Sequence, residues 1–475
     1  MDLGRDLLSA NPPPSGMPPA VNLTPRDVEA MAGELGAYHA DFAPLFWRAE
    51  QRHWSLKYLQ GQMLDIERKS VEPMALALEG GDVQAMQQFI SIGKWDDEAI
   101  LKAHQQLVAE TLGDWDTGVL IIDGCDFPKQ GTHSVGVARQ WCGALGKVAN
   151  CQASVLACYA SERGYTLVDR RLYVPERWFA EPYRERRERY GLPSHLTFRT
   201  EPELAGEMIE TLHERGVLPF QWVTFDEHFG NNPALLDKVA DMGLRYLAEV
   251  PHDTRVWLKR PRSEVPPAKR KGRPPTRERL RPGEPLPVQV DRLADELPST
   301  EWARFMIKEG AKGPMVAEFA FLRAVAVRDD LPGPEVWVVL RRSLGETREL
   351  KAYLSNTPTD TPQQVLVRLS GMRWPVESAI QESKGELGMD HYEVRTWPGW
   401  HHHMTMTLLA HHFLVRLRIR LGGKIGRAHR TTSPRAAQRD PTQEATRRPK
   451  RHRICPSHPA AQLRRLPFPS QARPA

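Results

Sequence analysis

The chain of 475 residues has no long apolar run and contains only five cysteines. No stretch approaches 18 consecutive apolar residues, which excludes a membrane-spanning helix. The cysteines include no C-x-x-C pair, so neither a disulfide scaffold nor a structural zinc site is expected. The first residues lack an apolar segment followed by a small-residue cleavage site, so secretion is not expected either. We therefore expect a protein of the reducing cytoplasm.

Basic residues are unevenly distributed along the chain. Residues 423–475 carry 13 Lys and Arg and 2 Asp and Glu, whereas the first 422 residues carry 52 and 57. The net charge of +6 therefore combines a mildly acidic body with a basic tail. An interaction with nucleic acid would have to rest on local basic patches rather than on the overall charge.

The N-terminal part is helical by pattern. Residues 1–22 are rich in proline and predict a flexible lead. A helix is predicted to start at Thr24-Pro25, because threonine caps free backbone amides and proline suits the first turn. Apolar residues then recur at helical spacing, and such patterns continue to about residue 112. We predict a helical N-terminal domain over 23–115.

The next segment, 116–250, has an α/β texture. Apolar runs bounded by turn residues predict five strands, and two helical patterns separate the later strands. The strands are predicted at 118–123, 150–160, 165–174, 220–226 and 244–250, and the helices at 201–216 and 233–242. Three strands come first and are followed by strands alternating with helices, which predicts a mixed sheet, antiparallel on one side and parallel on the other.

An insertion interrupts this domain. From Pro251 to Val288 the chain has 9 Pro and 11 Lys and Arg against 4 acids, which predicts a basic loop or arm. Strand-like runs follow, and we assign 251–345 to a basic, Pro-rich arm and a β-rich insertion. The α/β domain is predicted to resume over 346–422, with a helix near 375–387. Residues 423–475 lose apolar periodicity and predict a disordered tail.

Three carboxylates have positions that predict chemistry. Asp123 ends the first strand, Asp226 ends the fourth and Glu377 opens a late helix. The carboxyl ends of parallel strands converge on a shared crevice. Hard cations such as Mg²⁺ prefer oxygen ligands. Two such ions about 3.5–4 Å apart can activate the attacking oxygen and stabilise the leaving oxygen in phosphodiester chemistry.

The residues around these carboxylates resemble the DDE transposases of bacterial insertion sequences, a resemblance that covers roughly residues 25–420. The run IIDGCDFPKQGTHSVGVARQWCGALGKVANCQ (121–152) is similar to the first catalytic block of that group. The run WVTFDEHFG (222–230) resembles the second block, and RWPVESAIQESKGELGMDHYEVR (373–395) resembles the third.

The third block keeps the R-x3-E-x6-K part of a signature of the wider family. Arg373, Glu377 and Lys384 occupy these positions, whereas the signature's tyrosine position holds Ser370. Glu377 and Lys384 are seven residues apart and therefore share a helix face. Arginine suits bidentate phosphate contact and lysine acts as a point charge, so Arg373 and Lys384 are predicted to bind DNA.

The resemblance implies a fold, a reaction and a set of partners. The fold is an RNase H-like α/β sheet, with the insertion between the last core strand and the glutamate-bearing helix. The carboxylates Asp123, Asp226 and Glu377 would be catalytic and would bind two Mg²⁺ or Mn²⁺ ions. The enzyme would cut double-stranded DNA at the element's terminal inverted repeats and transfer the freed 3′-OH into target DNA. Two protomers are implied, because two ends must be joined, and the protein would work at the nucleoid in the cytoplasm.

Other acidic residues compete with the three carboxylates. Asp126 is the alternative to Asp123, and Glu227 is the alternative to Asp226. Glu382 and Glu386 lie in the same helix as Glu377, where solvated charges are the competing interpretation. Asp226 has a second possible role, since it could cap a helix.

Basic residues offer further candidate DNA contacts. Lys129, His133 and Arg139 follow Asp123 in a polar loop, where the competing interpretation is ordinary surface charge. Lys271 and Arg273, within KRKGRPP, resemble the core of an AT-hook, and a narrow A·T-rich minor groove attracts inserted arginine.

Two other functions stay open at this point. One is a nuclease of the same fold that cuts DNA without strand transfer. The other is a catalytically inactive, transposase-derived DNA-binding protein. The intact acidic triad favours an enzyme, whereas the unusual tail favours a relic.

Overall fold

The computed structural model describes residues 25–266, 276–310, 313–345 and 348–421. The predicted flexible lead and basic tail and the AT-hook-like residues Lys271 and Arg273 lie outside the described residues. Within the described ranges, no helix is long and apolar enough to cross a membrane.

Helices dominate both ends of the described chain. They are α1 (Pro25–Ala40), α2 (Ala49–Met63), α3 (Val71–Ala77), α4 (Val83–Ser91), α5 (Asp97–Leu112), α6 (Arg184–Arg189), α7 (Glu201–Arg215), α8 (Glu227–Gly230), α9 (Pro233–Asp241), α10 (Val290–Glu296), α11 (Gln363–Ser370), α12 (Trp374–Leu387) and α13 (Trp397–Leu421). Helix α7 begins with a capping box, in which the Thr200 hydroxyl accepts from the Glu203 amide and the Glu203 carboxylate accepts from the Thr200 amide. Residues 25–40 are helical as predicted, whereas the predicted cap at Thr24 lies outside the described residues.

The strands occupy the middle of the chain. They are β1 (Val119–Pro128), β2 (Ala138–Cys142), β3 (Lys147–Ser161), β4 (Gly164–Tyr173), β5 (Trp222–Phe225), β6 (Arg245–Val250), β7 (Arg255–Trp257), β8 (Ser263–Glu264), β9 (Arg279–Leu280), β10 (Val288–Gln289), β11 (Ala303–Gly310), β12 (Gly313–Arg328), β13 (Leu331–Ser343) and β14 (Leu350–Ser355). All five strands predicted between 116 and 250 are present, but β1 continues to Pro128 instead of ending at Asp123, because its second half pairs with β3. The short strand β2 was not predicted.

One mixed sheet of 12 strands organises the described chain. Its main path has the order β10-β7-β12-β13-β14-β6-β5-β1-β3-β2, with β11 paired to β12 and β4 paired to β3. Strands β1, β5 and β6 are parallel, whereas β3 is antiparallel to β1 and β14 is antiparallel to β6. The predicted mixed α/β fold is confirmed. Most strands of the insertion belong to this sheet, because β14 joins β13 to the edge of β6, whereas β8 and β9 form a separate two-stranded sheet.

The long helix α13 packs against one face of this sheet and against the N-terminal helices. Its central residues are buried, and it contacts β4, α2, α4, α5 and α12. The N-terminal helices and this face of the sheet share one hydrophobic core, and a second core lies on the opposite face beneath α7 and α9. Helices α12 and α13 therefore hold the residues around Glu377 against the sheet.

A group of histidines is buried in and around α13. Within it, burial lowers the pKa of His104, His401 and His403 to about 4, with smaller opposing effects from backbone hydrogen bonds. Each ring binds a backbone carbonyl, at 2.9 Å for His104 to Leu167 and 3.0 Å for His403 to Met389. These histidines therefore serve as neutral hydrogen-bonding groups in the core.

Acidification is expected to destabilise this core between pH 6.5 and about 4. An unfolded histidine has a pKa near 6.5, so the unfolded chain binds more protons than the folded chain in this window. Each of the three histidines then removes roughly 1.4 kcal/mol of stability per pH unit. Thermal denaturation followed by circular dichroism at pH 7, 6 and 5 measures the effect. An unchanged melting temperature across that range would contradict it, and replacing the exposed His53 by Gln should leave the pH dependence as it is.

Candidate active site

Three acidic residues occupy matching positions in three neighbouring parallel strands. The register pairs Ile122 of β1 with Phe225 of β5, and Phe225 with Ala248 of β6. The next residue along the chain is acidic in each case: Asp123 within β1, Asp226 directly after β5 and Glu249 within β6. Neighbouring strands are about 4.8 Å apart and side chains alternate between faces, so the three carboxylates lie side by side on one face of the sheet.

Arg373 links this acidic row to helix α12. Its guanidinium contacts Glu249 at 3.3 Å, from Nη1 to Oε2, and Glu377 at 3.1 Å, from Nη2 to Oε1. Burial lowers the pKa of Arg373, but the charges of Asp123, Glu249, Glu377 and Asp226 outweigh it and raise this pKa. The positive charge of Arg373, at the start of α12, therefore interacts with all four carboxylates.

The pKa of the Asp123 carboxyl is shifted by its burial and by the charges around it. Burial raises the pKa of this carboxyl, and so does the charge of Asp226. Arg373 and the Gly124 amide lower it, Glu377 raises it slightly, and the resulting pKa is about 7. Asp226 also caps α8, since its Oδ1 accepts from the Phe229 amide at 3.1 Å. The two interpretations of Asp226, acidic row and helix cap, are therefore compatible.

The site contains carboxylate oxygens, which hard cations prefer as ligands, but these carboxylates do not form a complete metal site. Among the described residues, no group of three or more His, Cys, Asp or Glu is placed to hold a metal ion. Glu249 is engaged by Lys351 at 2.8 Å as well as by Arg373, and Glu377 faces Arg373. Asp123 and Asp226, whose charges repel each other, are the carboxylates that a divalent cation would relieve most directly.

Lys384 lies on the same side of α12 as Glu377, as the spacing predicts. Its ammonium donates to the Asp126 carbonyl at 3.1 Å and lies 5.3 Å from the centroid of the Phe127 ring. This position is three residues beyond Asp123 along β1. Arg373 and Glu377 therefore lie beside the acidic row, whereas Lys384 contacts β1 about 10 Å further along the strand, and DNA binding by Arg373 and Lys384 stays a prediction.

The basic residues after Asp123 have different surroundings. Lys129 lies over the Tyr392 ring at 3.4 Å, and burial lowers the pKa of its ammonium to about 8. The His133 ring is 3.2 Å from the Tyr190 hydroxyl. Arg139, on β2, and His133 are exposed, whereas Lys129 is partly buried. Lys129 and His133 thus make contacts within the protein, and DNA binding by all three stays a prediction.

The competing acidic residues are oriented away from the acidic row. Asp126 is three positions from Asp123 in β1, so it points to the opposite face, where it accepts from the Gly143 amide at 2.5 Å. Glu227 is exposed in the first turn of α8. Asp123 and Asp226, rather than these neighbours, face Arg373.

Glu382 is buried instead of being a solvated charge. Its carboxylate accepts from the Tyr165 hydroxyl at 2.9 Å, contacts His411 at 3.1 Å and forms an ion pair with Arg418 at 2.7 Å. Burial raises the pKa of Glu382, but its hydrogen bonds and the charge of Arg418 lower it to about 2. The carboxylate therefore ties α12 to α13 and β4.

Glu382→Gln and Glu377→Gln are expected to have different effects on the free energy of unfolding. The first removes a charge from a buried network and should lower the free energy of unfolding by roughly 2 kcal/mol. The second changes a side chain that is 56% exposed and should alter stability by no more than about 0.5 kcal/mol. Urea denaturation of both variants measures the difference, and equal midpoints would contradict it.

Several residues at the site were not identified from the sequence. Glu249 lies inside a predicted strand, and only the register shows that it extends the acidic row. Lys308 of β11, in the insertion, lies close enough to Glu377 and to Arg341 of β13 for both charges to act on it. An acidic residue within a buried strand next to the predicted catalytic strand was the available signal for Glu249.

Comparison with known proteins agrees with the geometry. A family model described as a DDE superfamily endonuclease matches residues 41–314, a range that includes Asp123 and Asp226 and ends before α12. The probable transposase for insertion sequence element IS701 of Microchaete diplosiphon is 23% identical over 346 residues, which are 72% of this chain and 77% of that protein.

A likeness to a solved structure is much weaker. The crystal structure of the NurA nuclease from Sulfolobus solfataricus shares 10% identity over 69% of this chain and 93% of that chain. Its TM-score of 0.25 is too low to support a common fold. The mixed sheet is consistent with an RNase H-like core, and enzymes of the matched superfamily generally use divalent metal ions. The chain belongs to the DDE superfamily of endonucleases.

Proposed function

We propose that this chain is a DDE transposase that cuts DNA at the ends of its element and joins the freed 3′-OH to target DNA. The observation that carries the proposal is the row formed by Asp123 and Asp226 at matching positions of β1 and β5, with Arg373 and Glu377 beside it. Such a row at the carboxyl ends of parallel strands is where an α/β sheet places its ligands.

Asp123, Asp226 and Glu377 are the proposed metal ligands. Together they would hold two Mg²⁺ or Mn²⁺ ions, which activate the attacking oxygen and stabilise the leaving oxygen when bound. Glu249, which also pairs with Lys351, forms an ion pair with Arg373, and Arg373 in turn holds Glu377 beside the row. Arg373 and Lys384 would bind phosphates of the DNA strand beside the scissile bond.

The DNA partners follow from this reaction. The substrates would be the terminal inverted repeats of the element and a target duplex, and two protomers would act together to join two ends. The N-terminal helices would bind the repeats, while Lys129, His133 and Arg139, and the arm containing Lys271 and Arg273, would contact the DNA backbone. The enzyme would act on the nucleoid in the cytoplasm.

Cleavage and joining assays test the proposal. A supercoiled plasmid carrying the coding region with its flanking DNA should be nicked or linearised in Mg²⁺ and left intact in EDTA. Pre-cleaved element ends should then be joined to a second plasmid. Cutting without joining would favour the second candidate, an endonuclease without strand transfer, which the description of the matched family also fits. Binding without any cutting would overturn both and favour an inactive DNA-binding relic.

A further inference from the structure

A β-bulge reorients one lysine of the insertion. In the pairing of β11 with β12, Met306 is opposite Val316 and Lys308 is opposite Met315, so one residue of β11 is unpaired. Regular alternation would place Lys308 on the face of Met306. The bulge instead places Lys308 on the face of Phe305, which packs against the hydrophobic core. Bulges commonly redirect a side chain in this way next to active sites.

The redirected lysine lies against the helix that carries Arg373 and Glu377. Its ammonium is 4.5 Å from the centroid of the Trp374 ring, and Trp374 directly follows Arg373. The charge of Glu377 acts on Lys308, and so does the like charge of Arg341 from β13. Lys308 therefore lies near Glu377, on the side of the insertion.

Neither of these two cations has an acidic partner among the described side chains. Arg341 donates to the Ser370 carbonyl at 3.3 Å and contacts the Met315 sulfur at 3.9 Å, and Lys308 rests on Trp374. The neighbouring cations differ, because Arg342 is paired with Glu318 and Lys351 with Glu249. Two like charges held together in a partly buried position are stabilised when an anion binds between them.

We propose that Lys308, supported by Arg341, binds a backbone phosphate of the DNA strand that enters the acidic row, so that the β-rich insertion is part of the active site. This inference rests on the proposed function, since it takes DNA as the substrate. The Trp374 ring keeps the ammonium near Glu377, and a phosphate oxygen supplies the missing anion. The chemistry recognised is a phosphodiester, without regard to base sequence.

The salt dependence of DNA binding tests the contact. The probe is a fluorescein-labelled 30-base-pair duplex of random sequence, titrated by anisotropy at several KCl concentrations. Loss of one phosphate contact should reduce the slope of log K against log salt by about 1 in Lys308→Gln. Lys308→Arg should keep the slope. Arg304→Gln, on the same strand, is the matched control, because Glu318 already neutralises Arg304 at 3.4 Å.

The cleavage rate gives a second readout. At saturating plasmid, Lys308→Gln should cut about tenfold to a hundredfold more slowly than the wild type, and Lys308→Arg should recover most of the rate. An unchanged slope in a folded Lys308→Gln variant overturns the inference, even if cleavage is slower, since that pattern indicates a structural role. If the wild type does not cut in Mg²⁺, the proposed function fails, while the slope still decides the role of Lys308.

Discussion

Asp226→Asn is expected to lower the rate of Mg²⁺-dependent DNA cleavage by about a thousandfold or more. Asparagine retains the oxygen that accepts from the Phe229 amide, so the cap of α8 should persist and the fold should be unchanged. The substitution removes the negative charge that a divalent cation needs. Metal ions contribute several kcal/mol to such reactions, and about 4 kcal/mol corresponds to a thousandfold in rate.

Glu227→Gln is the matched control for that loss. It removes one acidic charge from the adjacent position, but its exposed side chain lies outside the acidic row. Single-turnover cleavage of the plasmid, with the circular dichroism spectrum of each variant, provides the measurement. Equal rates for the wild type and Asp226→Asn would refute the assignment of Asp226. A severe loss in Glu227→Gln alone would move the assignment to that residue.

The position of Asp226 after β5 could be predicted from local sequence, whereas Asp123 lies inside β1, at the point where the parallel pairing with β5 stops, and does not end the strand as predicted. Each follows a short apolar run that buries itself in the sheet, and β1 and β5 are indeed parallel neighbours. The Arg373 to Glu377 spacing likewise predicts a contact between residues one helical turn apart, and the structure has it at 3.1 Å. These features depend on a few consecutive residues.

Other features depend on contacts between distant parts of the chain, and sequence pattern could not predict them. Glu249 joins the acidic row only through the register of β5 with β6, and Lys308 faces α12 only because of a bulge. Glu382 is on a helix face that appears solvated until α13 and β4 cover it. The sheet likewise continues into the insertion because β14 lies between β6 and β13. Strand order of this kind is set by packing across more than 100 residues.

A buried ion network joins the N-terminal helices to the sheet. Arg170 of β4 is fully buried and forms ion pairs with Asp97 and with Glu98, the latter at 2.8 Å. Its neighbour Asp169 is also fully buried and lies 3.5 Å from the same guanidinium. Burial would raise the pKa of Glu98, but the charge and hydrogen bond of Arg170 help to lower it to about 2. The network therefore fixes α5 against the strand that also contacts α12 and α13.

Arg170→Met is expected to lower the free energy of unfolding by about 3–5 kcal/mol. Removing one partner leaves the buried Asp169 carboxylate with Arg171 as its remaining ion-pair partner, at 2.9 Å, and costs far more than losing a surface pair. Arg68→Ala is the control, because Arg68 and Glu393 are each 61% exposed and such a pair contributes at most about 1 kcal/mol. Urea denaturation at pH 7 measures both variants. Equal midpoints for them would mean that the Arg170 network contributes no more than an exposed pair, and that apolar packing alone holds α5 to the sheet.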